Sequence, residues 1–315
     1  MIDFYKNRWK YYIISLAIIA LGIIMIFVNG GIKLAIEFKG GAIIRYSFEG
    51  ELDINEVGAF AAEIMGRDVA VQEISSNISG KEGDAASKKI VLNFAGDEGL
   101  SDEAQLKLDA ALKEKYPDAK FVSAGSSVVK PFIGKRFLAR SMRAILLASI
   151  LMILYIWYSF RKISGLSAGV MSFVALLHDV IVVFFVFIIF NIPINESFIA
   201  VSLTILGYSL NDTIVIFDRI RENKRFMGAK VPIEEIVTKS INQSLTRSIN
   251  TGVATFISIV VVYIFAAIYD IESIKTFALP MAFGIISGAY STICLVGPMW
   301  TSWQKFITKD KIKTA

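Results

Sequence analysis

Six stretches of this chain are long and apolar enough to cross a bilayer, and they leave little choice of architecture. They run roughly over 11–29, 141–160, 166–190, 197–218, 248–269 and 274–300, against the about 20 apolar residues that a helical span requires. Composition agrees. Of 315 residues, 55% are hydrophobic, and the mean hydropathy of +0.58 excludes a soluble globule. Lys6, Arg8 and Lys10 before the first apolar run look like the start of a signal peptide. The apolar core is too long for one, and Asn29-Gly30-Gly31 offers no cleavage site of small residues, so the segment reads as an anchor.

Basic residues orient the spans. Lys6, Arg8 and Lys10 precede the first, and Arg161 and Lys162 sit between the second and third. Arg219, Arg221, Lys224, Arg225, Lys230, Lys239 and Arg247 follow the fourth, and Lys305, Lys309, Lys311 and Lys313 close the chain. All four groups fall on one side, which makes both termini cytoplasmic. Lys135, Arg136, Arg140 and Arg143 dissent. They follow a domain of about 100 residues, where the charge rule weakens.

That domain, 35–135, is expected outside the membrane. Its pieces read strand Ile36–Phe48, helix Ile54–Met65, strands Val69–Ser75 and Lys88–Phe94, helix Asp102–Tyr116 and strand Lys120–Val129. Asp53 and Ser101 are candidate helix caps, and Gly80 to Ala86 reads as a hairpin connection. The order predicts an α+β ferredoxin-like domain, with Tyr46, Phe48, Phe60, Phe94 and Phe121 as packing residues. The chain thus divides into an N-terminal tail and first helix (1–34), the exported domain (35–135), a five-helix bundle (136–303) and a basic tail (304–315).

The chemistry is expected inside the membrane. A carboxylate in hydrocarbon costs roughly 2.5–3.5 kcal/mol on insertion scales, so a chain that keeps one usually uses it. Asp212, preceded by Asn211 and followed by Thr213, lies in the fourth span. Ser202, Ser209, Asp212 and Thr213 fall on or near one face by helical spacing. Gln243, Arg247, Thr251, Thr255 and Ser258 form a second stripe on the fifth span, so a buried Asp212–Arg247 pair is possible. Asp179 sits near the middle of the third span. The adjacent His178 points about 100° away and reads as packing. Gly284 and Gly288, with Ser287 and Ser291, suggest a close helix contact. The single histidine and the lone Cys294 allow neither a metal cluster nor an internal disulfide. No cofactor, catalytic residue or nucleic-acid partner is expected.

Taken together, these residues resemble the SecF branch of the SecD/SecF family, within the RND superfamily. The resemblance is strongest over Gly207–Asn223 (GYSLNDTIVIFDRIREN) and continues at Ser240–Thr251 (SINQSLTRSINT) and Ala175–Val180 (ALLHDV). Glu37-Phe38-Lys39-Gly40-Gly41 looks like the family's lead-in to the exported domain, with Glu37 where the family has Asp. The resemblance implies a six-helix half of an RND-type bundle in a bacterial plasma membrane. It implies SecD as the partner half, and use of the proton-motive force to promote export of preproteins through the SecYEG channel, with SecA and YidC/YajC as further neighbours. It places the proton-pathway acid on Asp212 and its basic partner on Arg247. Asp179, Asn211, Thr213 and Thr251 complete that candidate pathway.

Three rival readings remain. Half of a proton-coupled RND-type small-molecule exporter would need larger exported domains. An intramembrane aspartyl protease would need Asp179 and Asp212 close enough to share a proton. A structural scaffold would carry no proton flux.

Overall fold

The computed structural model describes residues 2–35, 38, 41–50, 52–67, 69–74, 88–95, 101–129, 131–163, 165–228, 231–269 and 271–313. Among them six helices are long and apolar enough to cross a membrane. They belong to α1 (Arg8–Val28), α4 (Pro131–Ser159), α5 (Gly165–Ile189), α6 (Glu196–Met227), α7 (Ile233–Ile268) and α8 (Glu272–Ser291). The last continues through a π-helical turn, Thr292–Val296, into α9 (Gly297–Lys313). Helix is the form that satisfies every backbone N–H and C=O within one segment, which hydrocarbon demands.

Several helices outrun the apolar stretches that define the spans. α6 stays helical through its charged end to Met227, with Lys224 and Arg225 in the last turn, where cations complement the helix dipole. Gly228, at φ 79°, then turns the chain away. α7 starts after Pro232 with Glu234 and Glu235 in its first turn, the favourable sign at that end.

Burial sorts the helices. In α5 and the α8–α9 span, 56% and 61% of the apolar window is buried, against 11% in α1, α4 and α7. The first two are the interior of the bundle, and the other three turn apolar faces outward. Two apolar clusters fill that interior. One joins Phe4, Ile156, Phe160, Phe217, Ile241 and Trp300. The other joins Val183, Phe187, Ile194, Phe198, Ile205, Met281 and Ile285. Along α5 and α6 the stretch between them holds Asp179 and Ser209.

The segment after α1 leads to a β-sheet domain. Its elements are β1 (Gly41–Phe48), α2 (Ile54–Met65), β2 (Val69–Ile74), β3 (Lys88–Ala95), α3 (Asp102–Lys115) and β4 (Val122–Val129). All pairings are antiparallel and the strand order is β2-β3-β1-β4. Tyr46, Phe48, Phe94 and Phe121 are buried together with Val57, Leu108 and Leu112 from the two helices, and Phe60 packs at the edge. Burial, with help from the Asp109 carboxylate that the phenol donates to, holds the Tyr46 hydroxyl well above its ordinary pKa. Ser101 caps α3, accepting from Ala104 N at 3.3 Å.

One strand starts later than its sequence suggests. Lys120, at φ 43°, holds a left-handed turn that delays β4 to Val122. The described part of β1 begins at Gly41; the expected start at Ile36 lies outside the described residues, and Phe38 lies off the sheet. It packs among the membrane helices beside Phe187 and Ile194, 2% exposed, with its ring stacked on Phe137 at 5.7 Å. Nearby, Leu34 pairs with Ile194 in an isolated bridge. Ile194 N donates to Lys33 O at 2.8 Å, and Ala35 N donates to Ile194 O at 3.0 Å. Glu37, Gly40 and the 80–86 connection lie outside the described residues.

Candidate functional site

Asp179 on α5 is fully buried and is the centre of the polar layer. Ser287 Oγ of α8 donates to its Oδ1 at 2.7 Å. Ser291 Oγ of α8 and Ser209 Oγ of α6 donate to its Oδ2 at 2.7 and 2.8 Å. His178 Nδ1 lies 3.2 Å from Oδ1, so the ring folds back to its neighbour's carboxylate rather than pointing away from it. No lysine or arginine pairs with Asp179 among the described residues. Three hydroxyl donors satisfy acceptor sites on this carboxyl group, which offsets part of the cost of its burial.

Close helix contact makes this arrangement possible. A Cβ on Gly288 would stand 3.3 Å from Ser209 Cβ, and one on Gly284 would stand 2.7 Å from the Ile205 side chain. The two glycines therefore let α8 approach α6 closely enough for Ser287 and Ser291 to reach across to α5. The π turn that follows presents Thr292 inward. Its hydroxyl sits 3.3 Å from Thr213 Oγ1 and 3.4 Å from Ser209 Oγ. Such single widened turns recur at functional sites.

Asp212 has a different setting. It is half-buried and faces α7, accepting from Ser248 Oγ at 2.6 Å on Oδ1. Arg247, one residue earlier, is exposed and near enough for its charge to act on Asp212, yet no ion pair joins the two among the described residues. Asn211 and Thr251 are also exposed. The single polar face read from α6 thus divides. Ser209 and Thr213 turn to α8, whereas Asp212 turns to α7. Ser202 is buried with no partner for its hydroxyl among the described residues.

The stripe on α7 divides too. Gln243 accepts from Arg219 and Asn223 at 2.8 Å each. Thr255 and Ser258 bond back to their own helix. Sequence reasoning passed over Ser248 and Thr292. An Ser in the SINQSLTRSINT run was visible, but only the pairing of helices gives it a target. Of the lead-in element, Phe38 packs on the bundle and Gly41 opens β1; neither approaches the acids through any described contact.

His178 closes the site on the α1 side. Its ring centroid is 6.2 Å from that of Tyr290, whose hydroxyl donates to Tyr11 O at 2.7 Å. His178 Nε2 is buried without a partner among the described residues.

These features define a multi-pass helical membrane protein with two acids between its spans, one dry and one half-open. Comparison with known proteins narrows the class. Residues 107–306 match the family model of the protein export membrane protein SecD/SecF, C-terminal part. The protein translocase subunit SecF of Thermobaculum terrenum is 34% identical over 96% of this chain and 94% of its own length. That of Endomicrobium trichonymphae is 30% identical over 100% and 94%. The crystal structure of SecDF from Thermus thermophilus, a translocon-associated membrane protein, superposes with a TM-score of 0.77 at 28% identity. This chain is 96% covered there and spans 39% of that longer one. The chain belongs to the SecD/SecF family, and protein export is the process in which it takes part.

Proposed function

We propose that this chain is the SecF-like half of a proton-coupled accessory that promotes export, with a SecD-like chain as its other half. The observation that carries the proposal is the pair of acids on adjacent helices. Asp179 is held by three serine hydroxyls, while Asp212 stands beside the exposed Arg247. A route for protons needs one acid that solvent can reach and a polar path leading away from it. Asp212, Asn211, Arg247 and Thr251 supply the first. The second begins at Thr213, the residue after Asp212, and runs through Thr292 and Ser209 to Asp179 by successive hydroxyl contacts. The SecYEG channel, with SecA and YidC/YajC, and translocating preproteins are the proposed neighbours. The thinly covered α7 is the face we assign to the SecD-like half.

We also propose that 35–135 is a ferredoxin-like domain outside the bacterial plasma membrane, with 1–34, 136–303 and 304–315 as membrane and cytoplasmic parts and both termini cytoplasmic. The β-α-β-β-α-β order with strand order β2-β3-β1-β4 supports the domain assignment, and the basic-residue distribution supports the orientation.

Two measurements test this reading. Preprotein export should be faster in membranes carrying the chain and its partner than in membranes lacking them. That difference should vanish when an uncoupler collapses the proton gradient; a difference that survives the uncoupler overturns proton coupling. For topology, single cysteines at Leu100, Asn195 and Arg225 in a Cys294→Ser background should meet an impermeant thiol reagent in cells stripped of any outer barrier. Labelling is expected at 100 and 195 and not at 225. The reverse pattern would invert the chain.

A further inference from the structure

A cavity of about 740 Å³ opens where the link between α4 and α5 meets the end of α6. Arg161, Arg221, Lys224 and Arg225 line it, with Tyr158 and Ile163. Neither acid of the candidate proton route touches it.

The charge there is unbalanced. Arg221 pairs with Asp218. Arg161, Lys224 and Arg225 have no carboxylate partner among the described residues. Arg161 is held by its own neighbour, with its guanidinium 5.0 Å above the Tyr158 ring, and Arg221 lies 5.8 Å from the Phe160 ring. Stacking of this kind fixes a guanidinium and leaves its N–H donors free to bind. Lys224 and Arg225 sit in the last turn of α6, where cations are common because they complement the helix dipole. That ordinary reason does not account for Arg161, which arrives from another element to face the same space.

The walls say what kind of anion fits. The cavity lies at one end of the bundle, between the C-terminal ends of α4 and α6 and the link that leads into α5. From Tyr158 the exposed residues Tyr155, Leu154 and Leu151 run back along α4, at steps of three, four and seven residues, so they form one apolar ridge. A cationic cavity continued by an apolar ridge matches a molecule with a phosphate at one end and hydrocarbon at the other. Basic pockets between spans are suited to such headgroups.

We propose that this cavity binds the phosphodiester of an anionic membrane lipid, with an acyl chain along the Leu151–Tyr158 face of α4. The site stands independently of the proton-coupling reading, because it shares no residue with it.

Native mass spectrometry of the full chain, released from detergent holding equal phosphatidylglycerol and phosphatidylcholine, tests this. Phosphatidylglycerol should remain bound in preference. The triple variant Arg161→Gln, Lys224→Gln, Arg225→Gln should lose that preference on the order of a hundredfold, at about fivefold for each cation near an anionic surface. The variant Lys6→Gln, Lys10→Gln, Lys239→Gln removes equal charge elsewhere and should keep it. Arg161→Lys with Arg225→Lys keeps the charge and should retain most of it, which guards against a misfolded triple variant. Inorganic phosphate at millimolar levels should not displace the lipid. Displacement by phosphate, with phosphate binding lost in the triple variant, would make the ligand a free phosphate and overturn the lipid assignment. Equal losses in the cavity and control variants, or none in either, would overturn the site itself.

Discussion

Asp212→Asn should leave the chain inserted and assembled with its partner, and should abolish the proton-dependent part of export. Asn is nearly isosteric and can still accept from Ser248, whose hydroxyl now bonds Oδ1 at 2.6 Å. What it cannot do is carry a proton. The residue is half-buried, so an amide there adds little folding cost. Arg247→Ala should impair export as severely, because Arg247 directly precedes Ser248 and its charge acts on Asp212. The double variant should then be no worse than either single one, as two residues working as a unit are not additive. Export rates from the four proteins at matched abundance decide the matter. If the two losses multiply, the residues act separately and their shared place at the entry of the proton route is wrong.

Asp179 calls for a different pair of substitutions. Asp179→Leu removes the acceptor of three hydroxyls at once. Ser291 can fall back on Gly288 O, 3.2 Å away, and Ser209 on Thr292, but no alternative acceptor is described for Ser287. A buried hydroxyl without a partner costs about 1–3 kcal/mol, so this variant should be less stable by about that much in detergent melts. Asp179→Asn keeps one acceptor oxygen, and the serine hydroxyls can turn to accept from its amide, so its stability should stay within about 1 kcal/mol of the parent. Its export assay is the informative one. Loss of the proton-dependent increment in a stable Asn variant places Asp179 on the route. Full retention would make Asp179 a lock between α5, α6 and α8 and nothing more.

The bundle was legible from hydropathy, because the bilayer sets span length and a helix reports its own period. Asp212 was legible for a related reason, standing out against apolar neighbours. The convergence on Asp179 was not. It depends on which helices touch, and residues 209, 287 and 291 acquire a common target only once Gly284 and Gly288 bring α8 against α6. His178 was misread because rotation per residue fixes where a Cβ points, not where a ring can fold. The single stripe on α6 was too coarse: at 100° per residue, Asp212 and Thr213 serve different neighbours. The π turn at Thr292–Val296 leaves no trace in hydrophobic spacing. Phe38 looked like a strand residue because alternation alone cannot tell a sheet's core from a neighbouring bundle's.

The anchorage at Phe38 and Leu34 has a mechanical meaning. After α1 the chain is pinned at Leu34 to Ile194, in the loop joining the two helices that carry Asp179 and Asp212. Any movement of that loop would have to carry Leu34 with it or break the two backbone hydrogen bonds at Ile194.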